Sequence, residues 1–135
     1  MYHPEFCEPT AFIFALLWLS PESTWKIHGL WPQTCKQCEN CGYPSYCRSN
    51  VVHFNESAIK TLHDRLYKLW YPDKGLIQHE WLKHGSCDGN ITEFAYFNTT
   101  LSLVDCINYT SECANHTNKH SCRIWLEPWQ IRNCM

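Results

Sequence analysis

The chain has no surplus of positive charge: 11 Lys and Arg stand against 13 Asp and Glu, a formal net charge of −2. A broad basic face that holds duplex DNA by releasing counterions needs many more cations, so nonspecific DNA binding is excluded and only a local cationic groove is left open. It also has no long apolar run. Ala11 to Leu19 falls well short of the ~20 residues that span a bilayer. Nor does that run read as a leader peptide, because Glu5 and Glu8 precede it where Lys or Arg would be expected. A buried strand or short helix is expected there, with no membrane span. Repeats, low-complexity tracts and dividing linkers are missing too, so residues 1–135 are read as one domain.

Cysteine, by contrast, is abundant. Ten cysteines in so short a chain allow up to five bridges, a density typical of chains that mature in an oxidising compartment. N-x-[ST] acceptor patterns at Asn55, Asn90, Asn98, Asn108 and Asn115 agree with that route. The chain is therefore read as a secreted or lumenal glycoprotein. The run Cys35-x-x-Cys38-x-x-Cys41, followed by Cys47, also has a zinc reading, and an iron–sulfur one weakened by Arg48 where Pro would follow. In an oxidising lumen such thiolates become disulfides, so no metal and no cofactor is assigned.

Residues 32 to 48 read as a loop, with Pro32, Gly42, Pro44 and four cysteines. Apolar periodicity predicts a helix from Glu56 to Trp70 with Ile59, Leu62, Leu66, Leu69 and Trp70 on one face, and Asn55 as its cap. A short helix is expected over His79 to His84, stopped by Gly85, and another from Glu93 to Val104 along Phe94, Phe97, Leu101 and Val104. Arg123 to Glu127 alternates as a strand does. Helices and strands mix without a βαβ rhythm, which argues an α+β fold: an antiparallel sheet with packed helices, stapled by disulfides.

Two segments look like chemistry: Trp25-Lys26-Ile27-His28-Gly29-Leu30-Trp31-Pro32 and His79-Glu80-Trp81-Leu82-Lys83-His84-Gly85-Ser86-Cys87. On a helix, positions 79, 80, 83 and 84 fall near about 0°, 100°, 40° and 140°, so two imidazoles, a carboxylate and an ammonium share one face. Trp81 and Leu82 point the other way. A solvated salt-bridged face, with Glu80 and Lys83 three apart, is the bland alternative. A zinc-protease helix needs histidines at i and i+4, whereas Lys83 stands at that place here and would repel a cation. The set does suit RNA transesterification, in which a base takes the 2′-hydroxyl proton, an acid protonates the leaving 5′-oxygen, and cations hold the charge gathering on the nonbridging oxygens. DNA lacks the 2′-hydroxyl and cannot react this way.

Together, I-H-G-L-W-P and H-E-W-x-K-H-G-[ST]-C resemble the two active-site blocks of the ribonuclease T2 family. Tyr43-Pro44-Ser45-Tyr46-Cys47, Leu69-Trp70-Tyr71-Pro72 and His3-Pro4-Glu5-Phe6-Cys7 resemble three further family elements. The resemblance implies His84 as general base, His28 as general acid, His79 on phosphate, and Glu80 with Lys83 stabilising the pentacoordinate state. It implies that Trp31 stacks on a base, helped by Tyr43, with Gln33 at the position that bears on base preference. It further implies a bridge Cys47–Cys87; Cys122–Cys134, closing the terminal strand pair, and Cys7–Cys35 are expected beside it. The chain departs from the family in His3 for Trp, Ser86 for Thr, and a shorter length. His53, His63, His116 and His120 lie in no motif and are read as ordinary. The expected partner is single-stranded RNA. A catalytically silent RNA-binding or cell-surface protein on the same fold, or an extracellular interaction module without RNA, are the rival readings.

Overall fold

The computed structural model describes residues 2–48, 50–116 and 120–135. Its centre is a three-stranded antiparallel sheet of order β2-β1-β3, built from β1 (Pro9–Leu19), β2 (Thr24–Cys35) and β3 (Ser121–Leu126). The apolar run Ala11 to Leu19 is thus the central strand, which explains why it reads as nearly continuous apolar sequence. Phe12, Phe14 and Leu16 alternate onto the core face, against Leu66, Trp70, Trp81, Phe97 and Leu101 from the helices. No described helix is long and apolar enough to cross a membrane.

The hairpin of β1 and β2 is irregular, and its irregularities matter. Ala15 pairs with Gly29 but Leu16 with Ile27, so His28 is an extra residue, a β-bulge. Ala11 pairs with Thr34 but Phe12 with Pro32, which makes Gln33 a second one. The first bulge lets Ile27 and Leu30, three apart, both enter the core, a spacing that a regular strand forbids. β2 therefore runs through Pro32 to Cys35, and the expected loop begins only after it. Pro32 is tolerated because β2 is an edge strand and the residue borders a bulge.

The expected helix over 56–70 is two pieces, a 3₁₀ helix Glu56–Leu62, itself kinked at the non-helical Ile59, and α1 (His63–Leu69). Asn55 does cap the first, accepting from the Ser57 backbone N–H at 3.1 Å. α2 (Leu76–Lys83) begins a turn earlier than expected, behind Gly75 at φ 83°, and passes at His84 into the 3₁₀ turn Gly85–Cys87. α3 (Glu93–Cys106) buries Tyr96, Phe97, Thr100, Leu101 and Leu103, while Phe94 is turned outward at 40% exposure. Two short helices, α4 (Tyr109–Glu112) and α5 (Pro128–Arg132), flank β3. Four sequon asparagines are exposed and Asn98 is half-buried in α3; Thr117, the end of the Asn115 sequon, lies outside the described residues.

All ten cysteines are paired: Cys7–Cys35, Cys38–Cys41, Cys47–Cys87, Cys106–Cys134 and Cys113–Cys122. The expected Cys122–Cys134 bridge is corrected. Cys122 lies at the start of β3, and the strand carries the chain roughly 13 Å away at ~3.3 Å per residue, more than five residues of α5 return at ~1.5 Å each. Cys134 instead meets the end of α3. The buried sulfurs of Cys7–Cys35 and Cys47–Cys87 pack together as a second small core. Cys35, Cys38, Cys41 and Cys47 thus sit in three different disulfides rather than in one ligand set.

These bridges differ in the chain they close. Cys47–Cys87 spans a separation of 40 and Cys38–Cys41 one of 3, so chain entropy assigns about 4 kcal/mol to the former and about 1.6 kcal/mol to the latter. Serine pairs at 47/87 should therefore lower urea-unfolding stability clearly more than serine pairs at 38/41; equal losses would contradict the entropy account.

Candidate active site

Both motif segments converge on one cleft of about 250 Å³ between β2 and α2, lined by His28, Trp31, Gln33, Tyr43, His79, Glu80, Lys83 and His84, with Ile13 and Arg123. All eight catalytic and substrate-binding candidates read from the sequence are brought together there. None of His53, His63, His116 or His120 lines it. A larger cleft of about 460 Å³ lies beside Tyr67, Trp70 and Tyr71, but it gathers no imidazole, and acid–base chemistry belongs to the smaller one.

Each strand residue arrives by a local device. The bulge turns His28 out of the ladder, and its ring meets Trp31 edge-on at 4.9 Å. Tyr96, fully buried on α3, pins the neighbouring backbone by donating to the Leu30 carbonyl (3.0 Å) and accepting from the Leu30 N–H (3.3 Å). Trp31 then follows on the site face. At the second bulge Gln33 donates to the Trp31 carbonyl at 3.1 Å, and Tyr43 stands exposed at the mouth.

On α2 the four polar residues separate by depth. Glu80 is 1% exposed and His84 6%, whereas His79 and Lys83 reach outward. Trp81 faces the core and donates to the His53 carbonyl at 2.8 Å, fixing the rotation of the helix. At its end the Arg48 guanidinium donates to the Ser86 carbonyl at 2.8 Å. Gly85 is needed there, because a Cβ would strike the Trp81 ring.

The two elements are joined by Glu80. Its Oε1 accepts from the Trp31 indole N–H at 2.6 Å, and its Oε2 lies 3.9 Å from Nε2 of both His28 and His79. Gly29 makes this approach possible: a Cβ there would collide with Glu80 Oε1 and stand 2.6 Å from Trp31 Nε1. His84 stacks on Trp31 at 5.0 Å and 25°, while its Nδ1 is buried without a partner among the described residues. Ring stacking, then, holds this imidazole. Arg123 lies over the same indole at 5.0 Å. Trp31 is thus packed by His84 and Arg123.

Burial sets the protonation states. It pushes Glu80 up to about 7, outweighing the Trp31 hydrogen bond and the Lys83 charge. Burial, then Arg123, His79 and Lys83, takes His28 down to about 4. Burial, then Lys83, His79 and His28, takes His84 down to about 3. His79 is lowered by burial and Lys83. In the free protein near neutral pH, both inner imidazoles are uncharged, a state in which either can accept a proton.

Sequence reading missed Gly29, Tyr96, Ile13 and Arg123 as parts of this site. Gly29 sits inside the first motif and its flanking His and Trp could have flagged it. Arg123 carries no local signal, since only strand register brings it here.

The model of the ribonuclease T2 family matches residues 1–123. A Caenorhabditis elegans ribonuclease T2 protein is 39% identical over 94 residues, 62% of this chain and 32% of that protein. Ribonuclease T2-A of Mus musculus is 32% identical over 99 residues, 64% of this chain and 34% of that one. The chain therefore spans about a third of these relatives. Among solved structures, a mutant of RNase MC1 with 5′-UMP superposes with a TM-score of 0.65 at 22% identity, covering 82% of this chain and 64% of that one. RNase NT with 5′-AMP gives 0.60 at 26%, covering 80% and 62%. Human RNase T2 gives 0.59 at 24%, covering 78% and 60%. With its sheet, its two site segments and a family match over nearly its whole length, this chain belongs to the ribonuclease T2 family.

Proposed function

We propose that the chain is a secreted, metal-independent endoribonuclease that cuts single-stranded RNA, first to a 2′,3′-cyclic phosphate and then, more slowly, to a 3′-phosphate. The observation that carries this reading is the meeting of His28 and His84 with Glu80, His79 and Lys83 in one cleft. Family membership supports it, and five disulfides support maturation in an oxidising compartment.

His84 takes the proton of the 2′-hydroxyl, and the freed oxygen attacks phosphorus. The pentacoordinate state collapses as the bond to the 5′-oxygen breaks and His28 supplies that oxygen with a proton. In the second stage His28 takes a proton from water, which opens the cyclic ester, and His84 returns its proton to the 2′-oxygen. His79 holds phosphate. Lys83 offers a fixed ammonium to the nonbridging oxygens, and Glu80, protonated below about 7, can donate a hydrogen bond to one of them. An entering phosphodiester anion favours the charged form of His28, so the substrate itself helps to arm the general acid.

If these roles hold, RNA is cut in the presence of EDTA, and His28→Ala and His84→Ala each lose roughly 10²- to 10⁴-fold in kcat with the far-ultraviolet circular dichroism unchanged. Undiminished cleavage by either variant would sink the mechanism. Binding without cleavage by the unaltered chain would leave an RNA-binding relic instead.

The pH dependence has a definite sign. His84 must be neutral, which holds above about 3, His28 charged, which in the free protein holds below about 4, and Glu80 protonated, which holds below about 7. The first sets the acid limb, and the other two place the maximum of kcat/KM on the acid side. The alkaline limb of kcat should lie at higher pH than that of kcat/KM, because bound phosphate raises the His28 pKa. Pre-steady and steady-state rates between pH 3 and about 8 test this; an optimum above neutrality would refute it.

Gly29→Ala should cost on the order of 100-fold in kcat by displacing the Glu80 carboxyl, as ångström-scale misplacement does, while the disulfides still form. Full activity in that variant would remove Glu80 from the mechanism.

A further inference from the structure

The cleft is lined by two permanently cationic side chains among the described residues, Lys83 and Arg123, and only Lys83 belongs to a motif. Arg123 comes from β3, on the far side of the sheet from β2. It pairs with Ala15, which in turn pairs with Gly29. Phe14 and Leu16 fill the core face of β1, so alternation puts Ala15 on the site face with Ile13. Two of the smallest side chains thus lie in the row between β3 and the site, and the long arginine stem can cross them.

The end of that side chain is held and yet free. Its guanidinium lies 5.0 Å from the centroid of Trp31. It has no carboxylate and no hydrogen-bond partner among the described residues, and it is exposed. Cation–π contact with an indole fixes a guanidinium in place without consuming its N–H donors. An exposed fork of donors beside Lys83 and three imidazoles fits an anion of phosphate geometry.

We propose that Arg123 is a substrate-binding residue of this cleft: poised on Trp31, it grips a phosphate group of the bound RNA strand and seats it beside Lys83 and His28. This rests on the ribonuclease reading and adds to it a residue from outside both motif segments. It also gives the Trp31–Arg123 stack a purpose, since the indole that stacks on His84 then also presents the phosphate ligand.

Two substitutions separate charge from packing. Arg123→Met keeps an apolar stem over Trp31 and removes the charge, whereas Arg123→Lys keeps the charge and loses the fork. With a single-stranded oligoribonucleotide, Arg123→Met should raise KM roughly tenfold or more with a much smaller change in kcat. Its plot of log(kcat/KM) against log salt should be shallower by about 0.7, the loss of one phosphate contact on a single strand, and Arg123→Lys should keep the original slope. The same slopes are read in binding of an uncleavable 2′-O-methyl oligonucleotide. Unchanged KM and slope in Arg123→Met would reduce Arg123 to a cover on Trp31 and overturn the proposal. If the unaltered chain binds the 2′-O-methyl strand but never cuts RNA, the ribonuclease reading fails while the Met variant still decides the contact. If it does neither, both fall.

Discussion

The active face depends on one carboxyl group placed where water does not reach it. Taking an ionised carboxylate out of water costs several kcal/mol even after the protein relaxes, so Glu80 holds its proton up to about 7 and keeps a neighbour on each oxygen. One oxygen is fixed by the Trp31 indole and the other faces His28 and His79. Strand and helix are therefore bound together through Glu80. Gly29 has no side chain because this carboxyl occupies the space, and the I-H-G-L-W-P segment reads as a set of fittings around Glu80.

The rest of the scaffold holds strand and helix at that separation. Bulges eject His28 and Gln33 from a strand whose neighbours still feed the core, and Tyr96 fastens the intervening backbone at Leu30 with two hydrogen bonds. On the other side, Trp81 sets the rotation of α2, and the packed sulfurs of Cys7–Cys35 and Cys47–Cys87 tie both segments to the same loop. A site held by packing and covalent closure loses little entropy when substrate arrives.

Electrostatically, a chain of net charge −2 concentrates what positive charge it needs. Lys83 and Arg123 both line the cleft, while burial keeps the His28 and His84 imidazoles uncharged near neutral pH. Such a division gathers positive charge at one place on a nearly neutral protein without a basic surface.

Much of this was legible in the residues. An apolar run marked the central segment without deciding strand from helix, period-3.6 patterns located the longer helices, alternation located the last strand, and the i, i+1, i+4, i+5 spacing of His79, Glu80, Lys83 and His84 gathered them on one side of a helix. The density of cysteines marked an oxidised fold. What the sequence alone determined is the chemistry available, because residue types and short-range spacing are local properties. Pairings between distant segments are not local, and there the tertiary structure decided. It chose Cys106–Cys134 and Cys113–Cys122 over Cys122–Cys134, let β2 run on through Pro32, kinked the first helix at Ile59, and packed Trp31 against His84 and Arg123. It also brought Arg123 across Ala15 to the cleft, since strand register is fixed by which faces are buried against which, and no stretch of sequence carries that by itself.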